Sequence, residues 1–580
     1  MDALLLMLVS FLGYVIAYHS YGRFLARKIF SLDKLARTPA HAMQDGTDYV
    51  PTKKVIVFGH HFTSIAGTGP IVGPAIGIIW GWVPAMLWIF LGSIFMGAVH
   101  DFSALVISLR NQGKSVAEIT AKYINPRVRF LFFLIVFFAL LIVIAIFGVV
   151  IAIVFKLFPG SVFPVWCQIP IALLLSAAVY KKHQSVALAT FVAVIAMYAT
   201  VFIGSCLPIT MPSVMTIPAT GLWTIILLGY VFFASVLPVT TLLQPRDYIN
   251  AWQLFIAMGL IVGGVFAAAF FADLKIVAPA FNLSPEGAPP VWPFLFITIA
   301  CGAISGFHCL VSSGTTSKQV DNEADAQMLG YGSMLLEATL STLVIVAVAA
   351  GIGMAYTFKD GTVLTGMEAW QAHYISWNAS AGLASKINAV VVGAANMVAV
   401  MGIPKALGSV IMGVFIASFA GTTLDTATRI QRYIITEIFS GLKKSPAKDL
   451  LINKWAATLI AIVSAAFLAF SAGVDGKGAL TLWPLFCAVN QLLAALGLLV
   501  ATFYLKTKGG LKFLFTAVPA MIMFSLTFWA MICNEIQFMN AANLPLLVMN
   551  TIILFLAAWV ALEAVISLTR QKNGSSPGSL

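Results

Sequence analysis

Charged residues are scarce in this sequence. Only 9% of its 580 residues are Asp, Glu, Lys or Arg, whereas 60% are hydrophobic; an average soluble domain has about 25% charged residues. This composition excludes a water-soluble globular protein. The sequence also has no GxxxxGK[ST] motif and no polar stretch long enough for a nucleotide-hydrolysing domain. Its six cysteines show no CxxC spacing, so neither a disulfide framework nor a structural metal site is expected.

Long apolar runs make up most of the chain. A bilayer core needs about 20 apolar residues per helix, and on this basis we predict fifteen membrane spans, among them 2–18, 292–312 and 455–471. We place loop 19–54 in the cytoplasm and let successive loops alternate between the two sides of the membrane. All but six of the 33 basic residues are then cytoplasmic, as the positive-inside rule requires. The net charge of +12 is therefore a topology signal. We expect the N-terminus outside, the C-terminus inside, and no nucleic-acid partner.

The second span, 55–80, is unusually rich in residues that break helices. It contains Gly67, Gly69 and Pro70, followed by Gly73 and Pro74, and we expect it to unwind between Gly67 and Pro70. Unwinding at membrane depth is tolerated only where the freed backbone groups are buried in protein or line a cavity. The span is therefore a candidate binding site; the alternative is a kinked helix whose small residues allow close packing.

A related pattern occurs near the end of the ninth span. His308 precedes Gly314 and Thr315 with the spacing by which His61 precedes Gly67 and Thr68, so both segments read H-x5-G-T. The predicted topology gives the two segments opposite directions, and inverted broken helices indicate the binding site of a secondary transporter. Helix N-termini beside Gly67–Gly69 and Gly314–Thr316 would donate to an anionic small molecule. The candidate substrate-binding residues are His61, Thr63, Ser64, Gly67, Thr68, Gly69, His308, Ser312, Gly314 and Thr315.

Hydroxyl groups and an acid gather near the predicted end of the eleventh span. Phe419, Thr422, Thr423 and Asp425 lie there, and oxygen ligands suit a hard cation such as Na⁺. We therefore predict a cation site. The alternative is a solvated helix end that is capped by threonines.

Few ionisable residues lie inside the predicted spans. Such residues are costly in lipid and are functional candidates by default; we expect His100, Asp101 and Glu337 to carry protons. The alternatives are an ion pair or cap for Asp101 and an interhelical hydrogen bond for Glu337. We expect Arg246 to lie in a cytoplasmic loop and to form an ion pair, either at the inner gate or in a structural role.

Three segments carry a resemblance to a known family. Residues 59–74, 96–102 and 422–429 resemble the carbon starvation protein A (CstA) family. The resemblance implies a bacterial cytoplasmic-membrane transporter that is associated with peptide uptake under carbon starvation and has relatives that resemble pyruvate–proton symporters.

The pattern around Thr422 and Thr423 is similar to F-x-x-T-[ST]-x-D of betaine/choline carriers with the LeuT-like fold. This similarity implies an all-α integral membrane protein of about 15 transmembrane helices, with a LeuT-like inverted-repeat core. Segments of about 55–80 and 292–316 would be its broken core helices one and six, the eleventh span core helix eight, and 358–402 the external gate loop. Six spans separate the broken helices where the fold needs four, so either two of them are extra peripheral helices or two are half-helices.

Together these features predict an N-terminal transmembrane helix and cytoplasmic loop (1–54), a transporter domain (55–568) and a cytoplasmic tail (569–580). We expect a secondary active transporter that imports peptides or a small carboxylate such as pyruvate, by proton or sodium symport and alternating access. Its partners are the substrate and the lipid bilayer, with no cofactor beyond bound Na⁺ or transported H⁺. A channel and an intramembrane enzyme are the alternatives; no HExxH motif or complete nucleophile–base–acid set supports an enzyme. The sequence does not decide whether the substrate is a peptide or pyruvate, or whether the coupling ion is a proton or sodium. The oligomeric state also stays open at this point.

Overall fold

A computed structural model describes residues 2–181, 185–358, 361–377, 382–440 and 445–572. Most of the predicted tail, 573–580, lies outside these ranges. The described chain is almost entirely helical, because backbone groups in lipid must find their hydrogen bonds within their own segment. The helices of its first half are α1 Asp2–Ala17, α2 Pro39–Ala42, α3 Lys54–Ala66, α4 Gly69–Gly77, α5 Trp82–Gly92, α6 Ala98–Leu109, α7 Val116–Tyr123, α8 Pro126–Leu157, α9 Val162–Ser176, α10 Val186–Cys206, α11 Ala219–Val236 and α12 Leu243–Phe271.

The second half adds one small β-hairpin to the helices. Strands β1 Tyr356–Thr357 and β2 Val363–Leu364 pair antiparallel. The helices are α13 Val291–Thr298, α14 Gly306–Gly314, α15 Ser333–Ala349, α16 Gly366–Tyr374, α17 Leu383–Ala399, α18 Lys405–Ser440, α19 Pro446–Leu451, α20 Lys454–Phe470, α21 Gly478–Thr481, α22 Trp483–Thr507, α23 Leu514–Asn540 and α24 Leu544–Lys572.

Thirteen helical segments of the described chain are long and apolar enough to cross a membrane. Two further predicted spans do not reach that length as single helices. The span 292–312 is divided into α13 and α14, and 455–471 corresponds to α20, which has 17 residues. The all-α membrane class is confirmed, while the total of about 15 stays a prediction.

Two predicted span ends are too early. The helix that begins with α1 continues through π-helical turns to Ile29, and α18 continues to Ser440. In α18 the polar residues after 423 are buried against protein, Arg429 among them. Hydropathy places a span end where polar residues begin, but here those residues face neighbouring helices, so the helix has no reason to stop.

The broken helices pack against long neighbouring helices. In the first half α3 packs along α12, and in the second half α14 packs along α22. The long helices α8 and α18 pack against each other between the two halves. Each broken helix is thus packed along a long helix of its own half of the chain.

Helices α9 and α10 account for the two extra spans. They pack mainly against each other. Only 22% of an 18-residue apolar stretch of α10 is buried inside the protein, against 94% of such a stretch in the segment Lys54–Trp80. Helix α11 packs against α8, α18 and α20 and belongs to the core. The additional pair therefore lies at the periphery.

Small residues bring the two interrupted helices together. A Cβ on Gly69 would lie 2.2 Å from Cys301 Sγ, and one on Gly73 would lie 2.7 Å from the carbonyl oxygen of Thr298. Only glycine fits at either position. The start of α4 is thereby placed directly against the unwound segment that follows α13.

Segment 358–402 contains the β2 strand, α16 and α17, with 359–360 and 378–381 outside the described residues. Helix α17 packs against α4, α12, α15 and α18. The Tyr374 hydroxyl in α16 donates a 2.6 Å hydrogen bond to the Ala75 carbonyl of α4. The segment is therefore fastened to the second half of a broken helix; its role as the external gate stays a prediction.

The close packing of α17 can be tested by Gly393→Ala. The added methyl group would lie 2.1 Å from the Ala347 carbonyl oxygen, and we expect a loss of stability of about 1–3 kcal/mol, as for other overpacked sites. The measurement is thermal unfolding in detergent. Gly259→Ala in α12 is the matched control, since nothing lies within 4 Å of its Cβ position; an equal effect of both substitutions would contradict the packing argument.

Candidate functional site

The first interruption lies at Gly67 and Thr68. Helix α3 ends at Ala66, and Gly67 has φ +32°, a value that glycine adopts readily. The Thr68 carbonyl accepts hydrogen bonds from the N–H groups of Ile71 and Val72, which begins α4. The Thr68 hydroxyl is buried and has no hydrogen-bond partner in the described part of the chain. The break therefore presents a free hydroxyl and the positive end of a helix dipole inside the protein.

The second interruption, residues 299–305, separates α13 from α14 and is held by Asn490 of α22. The Asn490 side-chain oxygen accepts hydrogen bonds from the Phe307 N–H (2.9 Å) and the Ser305 hydroxyl (3.2 Å). Its amide donates to Ser305 Oγ at 3.1 Å. Asn490 was missed by the sequence analysis; the signal for it was an amide inside the apolar run of α22.

The H-x5-G-T alignment predicted the wrong internal correspondence. His61 lies in α3, before the first break, whereas His308 lies in α14, after the second break. Gly314 is the last residue of α14 and Thr315 follows it, so the predicted helix N-terminus beside Gly314–Thr316 does not exist. The real counterpart of the first break is 299–305, where Cys301 touches Gly69. Three matching residues, in a chain rich in Gly and Thr, were too few to align the two broken helices correctly.

Four ionisable side chains form a continuous buried chain. Asp101 accepts hydrogen bonds from Nδ1 of His100 (2.7 Å) and Nδ1 of His308 (2.8 Å), one on each carboxylate oxygen. His308 Nε2 lies 3.3 Å from a Glu337 oxygen. All four side chains are fully buried. The proton-coupling candidates His100, Asp101 and Glu337 are thus brought together, and His308, predicted as a substrate ligand, joins them.

The same region holds three atoms that could ligate a metal. Cys301, His308 and Glu337 each offer an atom, and these lie within 4.8 Å of one another. However, the Cys301 thiol donates to Ser305 Oγ at 3.5 Å, and His308 already contacts Asp101 through Nδ1. The arrangement does not define a metal site.

A second buried cluster surrounds Asp425 of α18. Arg246 Nη1 lies 2.5 Å from Asp425 Oδ2, and the Tyr230 hydroxyl donates to the same oxygen at 3.0 Å. Arg246 lies in the first turn of α12 and is buried. It is the ion pair that the sequence suggested, but the predicted loop position is wrong, because the helix starts at Leu243.

The next residue, Asp247, connects this cluster to α3. Its Oδ2 accepts a 2.7 Å hydrogen bond from His60 Nδ1 and a 3.3 Å hydrogen bond from the Ser64 hydroxyl. Ser64 Oγ also lies 3.3 Å from the Thr426 hydroxyl of α18. Ser64 is therefore engaged in a bridge between helices, beside the break.

The predicted threonine pair lies in the middle of α18, next to the first break. The Thr422 hydroxyl donates to the Thr63 carbonyl at 3.0 Å, and Thr423 Oγ1 lies 2.7 Å from where a Cβ of Gly67 would be. No described residue forms a hydrogen bond with Thr423 Oγ1. Because both threonines and Phe419 are buried mid-helix, the alternative of a solvated, capped helix end is wrong. The Asp425 carboxylate is already paired with Arg246.

The remaining predicted ligands are spread along the two broken helices. His61 Nδ1 lies 2.8 Å from the Thr316 hydroxyl, while His61 Nε2 and the Ser312 hydroxyl are buried without partners. Gly314 lines a separate cavity of about 170 Å³ that also contacts Lys114 and Lys318. The Thr63 hydroxyl is used within α3, donating to the Gly59 carbonyl.

A largely buried ion pair ties the connection before α3 to α18. Arg429 Nη2 lies 2.6 Å from Asp48 Oδ1, and the Tyr433 hydroxyl donates to the same oxygen at 2.7 Å. Burial by itself would raise the pKa of Asp48, but the Arg429 guanidinium outweighs it and holds that pKa below its ordinary value. The carboxylate stays ionised and paired at neutral pH.

Comparison with known proteins gives consistent matches over most of the chain. The family model described as carbon starvation protein CstA matches residues 2–530. A Helicobacter pylori protein named peptide transporter CstA is 35% identical over 566 residues, covering 91% of this chain and 81% of its own length. A Bacillus subtilis protein of the same name is 34% identical, covering 89% of this chain and 88% of its own length. The Escherichia coli pyruvate/proton symporter BtsT is 32% identical, covering 91% and 81%.

Solved structures are more distant. The structure of MhsT in complex with L-phenylalanine has 12% sequence identity, a TM-score of 0.48, and covers 83% of this chain and 99% of its own. A manganese transporter from Eremococcus coleocola has 12% identity and a TM-score of 0.46, covering 90% and 99%. At these values neither similarity assigns a function to this chain.

Removal of the Asn490 side chain should weaken the second break. Asn490→Ala leaves the Phe307 N–H and the Ser305 hydroxyl without their acceptor, and an unsatisfied buried donor costs about 1–3 kcal/mol. We expect a lower thermal midpoint in detergent. Asn453→Ala is the comparison, since Asn453 caps α20 by accepting from the Trp455 N–H at an exposed position. A loss in Asn490→Ala no larger than that in Asn453→Ala would mean that Asn490 does not support the break.

Proposed function

The chain belongs to the carbon starvation protein CstA family, and we propose that it imports peptides or a small carboxylate such as pyruvate together with protons. It is a multi-pass membrane protein and a secondary active transporter, not an enzyme. Its relatives are named as peptide transporters and as a pyruvate/proton symporter. Both substrate classes carry a carboxylate, which is the group that the site has to recognise.

The substrate site that we propose lies between the two helix breaks. The observation that carries this proposal is the direct contact of Gly69 with Cys301, which sets the two interruptions side by side. Buried hydroxyl groups without partners, those of Thr68 and Thr423, lie at this point. Free donors and a helix N-terminus at membrane depth suit a carboxylate.

Proton coupling rests on the chain of His100, Asp101, His308 and Glu337. An ionised carboxylate in a dry interior needs a partner, and both Glu337 oxygens lack a hydrogen bond among the described residues. A proton on Glu337 or on His308 removes this cost, and the 3.3 Å separation allows its transfer between them. Each proton position favours a different arrangement of α6, α14 and α15, which is what coupling requires.

Sodium is the less favourable coupling ion on the same geometry. Of the four residues predicted to hold it, Asp425 is neutralised by Arg246 and the Thr422 hydroxyl donates to the Thr63 carbonyl. Thr423 alone keeps a hydroxyl without a partner. A guanidinium fixed beside Asp425 repels a second cation.

We further propose an inner-membrane location with the N-terminus outside and the C-terminus in the cytoplasm. The support is the distribution of basic residues under the positive-inside rule. In this orientation Arg110, Lys318 and Arg429 lie at one end of the bundle, where Asp48 and Glu323 pair with the two arginines. The transported substrate and the lipid bilayer are the partners in this proposal.

The proposal is tested by uptake into proteoliposomes. Labelled pyruvate and labelled alanyl-alanine are each offered under an imposed proton gradient and, separately, under an imposed sodium gradient. We expect one of them to accumulate under the proton gradient and neither to accumulate under sodium alone. Accumulation only under sodium would contradict proton coupling, and no uptake of either compound would contradict the substrate class.

Asp101→Asn separates coupling from binding. The amide keeps the size of the side chain but cannot exchange a proton with His308, so proton-driven accumulation should fall by about tenfold or more, as when a proton-transfer group is removed. Counterflow of labelled against unlabelled substrate, which needs no net proton movement, should persist. Asp273→Asn, at an exposed ion pair with Lys275, is the control. Unchanged accumulation in Asp101→Asn would show that the buried chain does not couple transport.

A further inference from the structure

Lys386 in α17 is a buried lysine whose amine has no counter-ion among the residues that the structure describes. Its side chain is only 4% exposed. Among the described residues none supplies its Nζ with a hydrogen-bond acceptor or an ion pair. A buried ammonium ion without a partner costs several kcal/mol, and residues that are buried at such a cost are often kept for binding.

Aromatic rings and one further free donor surround this cation. Lys386 Nζ lies 4.2 Å from the centre of the Tyr374 ring, and Trp370 stacks on that ring at 4.3 Å. His373, on the same helix as Tyr374, has a buried Nε2 without a partner. Burial lowers the pKa of Lys386 to about 7. Two buried side-chain nitrogens of α16 and α17, His373 Nε2 and Lys386 Nζ, thus have no hydrogen-bond partner among the described residues.

The position of these residues places them next to the substrate route. Tyr374 is fixed to α4 by its hydrogen bond to the Ala75 carbonyl. Ala75 lies six residues after Gly69, which corresponds to about 9 Å along the helix from the first break. An anion held by Lys386 would therefore sit on the same half-helix whose N-terminus faces the proposed substrate site.

We propose that Lys386 and His373 form a second subsite that binds the carboxylate of the substrate before it reaches the helix breaks. The inference rests on the proposed function and adds a residue that selects for anionic substrates. An ammonium–carboxylate hydrogen bond is roughly twice as strong as a neutral one and supplies the counter-ion that Lys386 lacks. Peptides and pyruvate share the group that is recognised.

The test compares Lys386→Met with Lys386→Arg and with the unaltered protein in proteoliposomes. For whichever of pyruvate and alanyl-alanine the unaltered protein transports, Lys386→Met should raise the KM by about tenfold or more, the loss expected for one charge-assisted hydrogen bond. Lys386→Arg should restore most of the affinity. Lys405→Met is the control, since Lys405 begins α18 at an exposed position and its loss should leave the KM unchanged.

Thermal unfolding in detergent separates this role from a structural one. Methionine removes an unpaired buried charge, so Lys386→Met should be at least as stable as the unaltered protein. If the lysine only fastens α17 through its contact with Tyr374, Lys386→Met should unfold earlier and its KM should stay unchanged, which overturns the inference alone. No uptake by the unaltered protein would overturn the proposed function and the inference with it.

Discussion

The structure depends on the need to satisfy two interrupted helices inside an apolar medium. Where α3 ends and where α13 ends, backbone groups lose their partners within the helix, and lipid offers none. Neighbouring helices supply them: Asn490 holds the segment before α14, and the Ser341 hydroxyl donates to the Pro70 carbonyl at the start of α4. The glycines at 69 and 73 then allow the two breaks to meet. The polar interior follows from this contact.

The buried charges are sorted into two sets with different chemistry. Around Asp425 an arginine, which stays charged at any physiological pH, fixes the carboxylate permanently. Around Asp101 the partners are two histidines, whose ring nitrogens can donate or accept a proton. One set therefore has a fixed charge and suits a structural hinge or gate between α12 and α18. The other holds the groups that we propose for proton coupling.

The sequence was sufficient for the class of fold and for the location of the first break, since Gly67, Gly69 and Pro70 act through local backbone geometry. It also selected Asp101 and Glu337, because an acid in an apolar run is conspicuous. It failed where the partner is distant in sequence: the link from Asp101 to His308 spans 207 residues, and nothing near Asp425 indicates Arg246. The alignment of His308 with His61 failed for the same reason, because register is set by packing between halves.

The length of α18 has a mechanical consequence. From Thr423, beside the first break, to Ser440 at the end of the helix is about 25 Å at 1.5 Å per residue. A tilt of about 10° around Thr423 would therefore displace that end by about 4 Å while the helix stays rigid. Arg429, one and a half turns beyond the pivot, holds Asp48 in the connection that leads into α3. A small change in the direction of α18 beside the break would therefore be enlarged along the helix before it reaches Ser440.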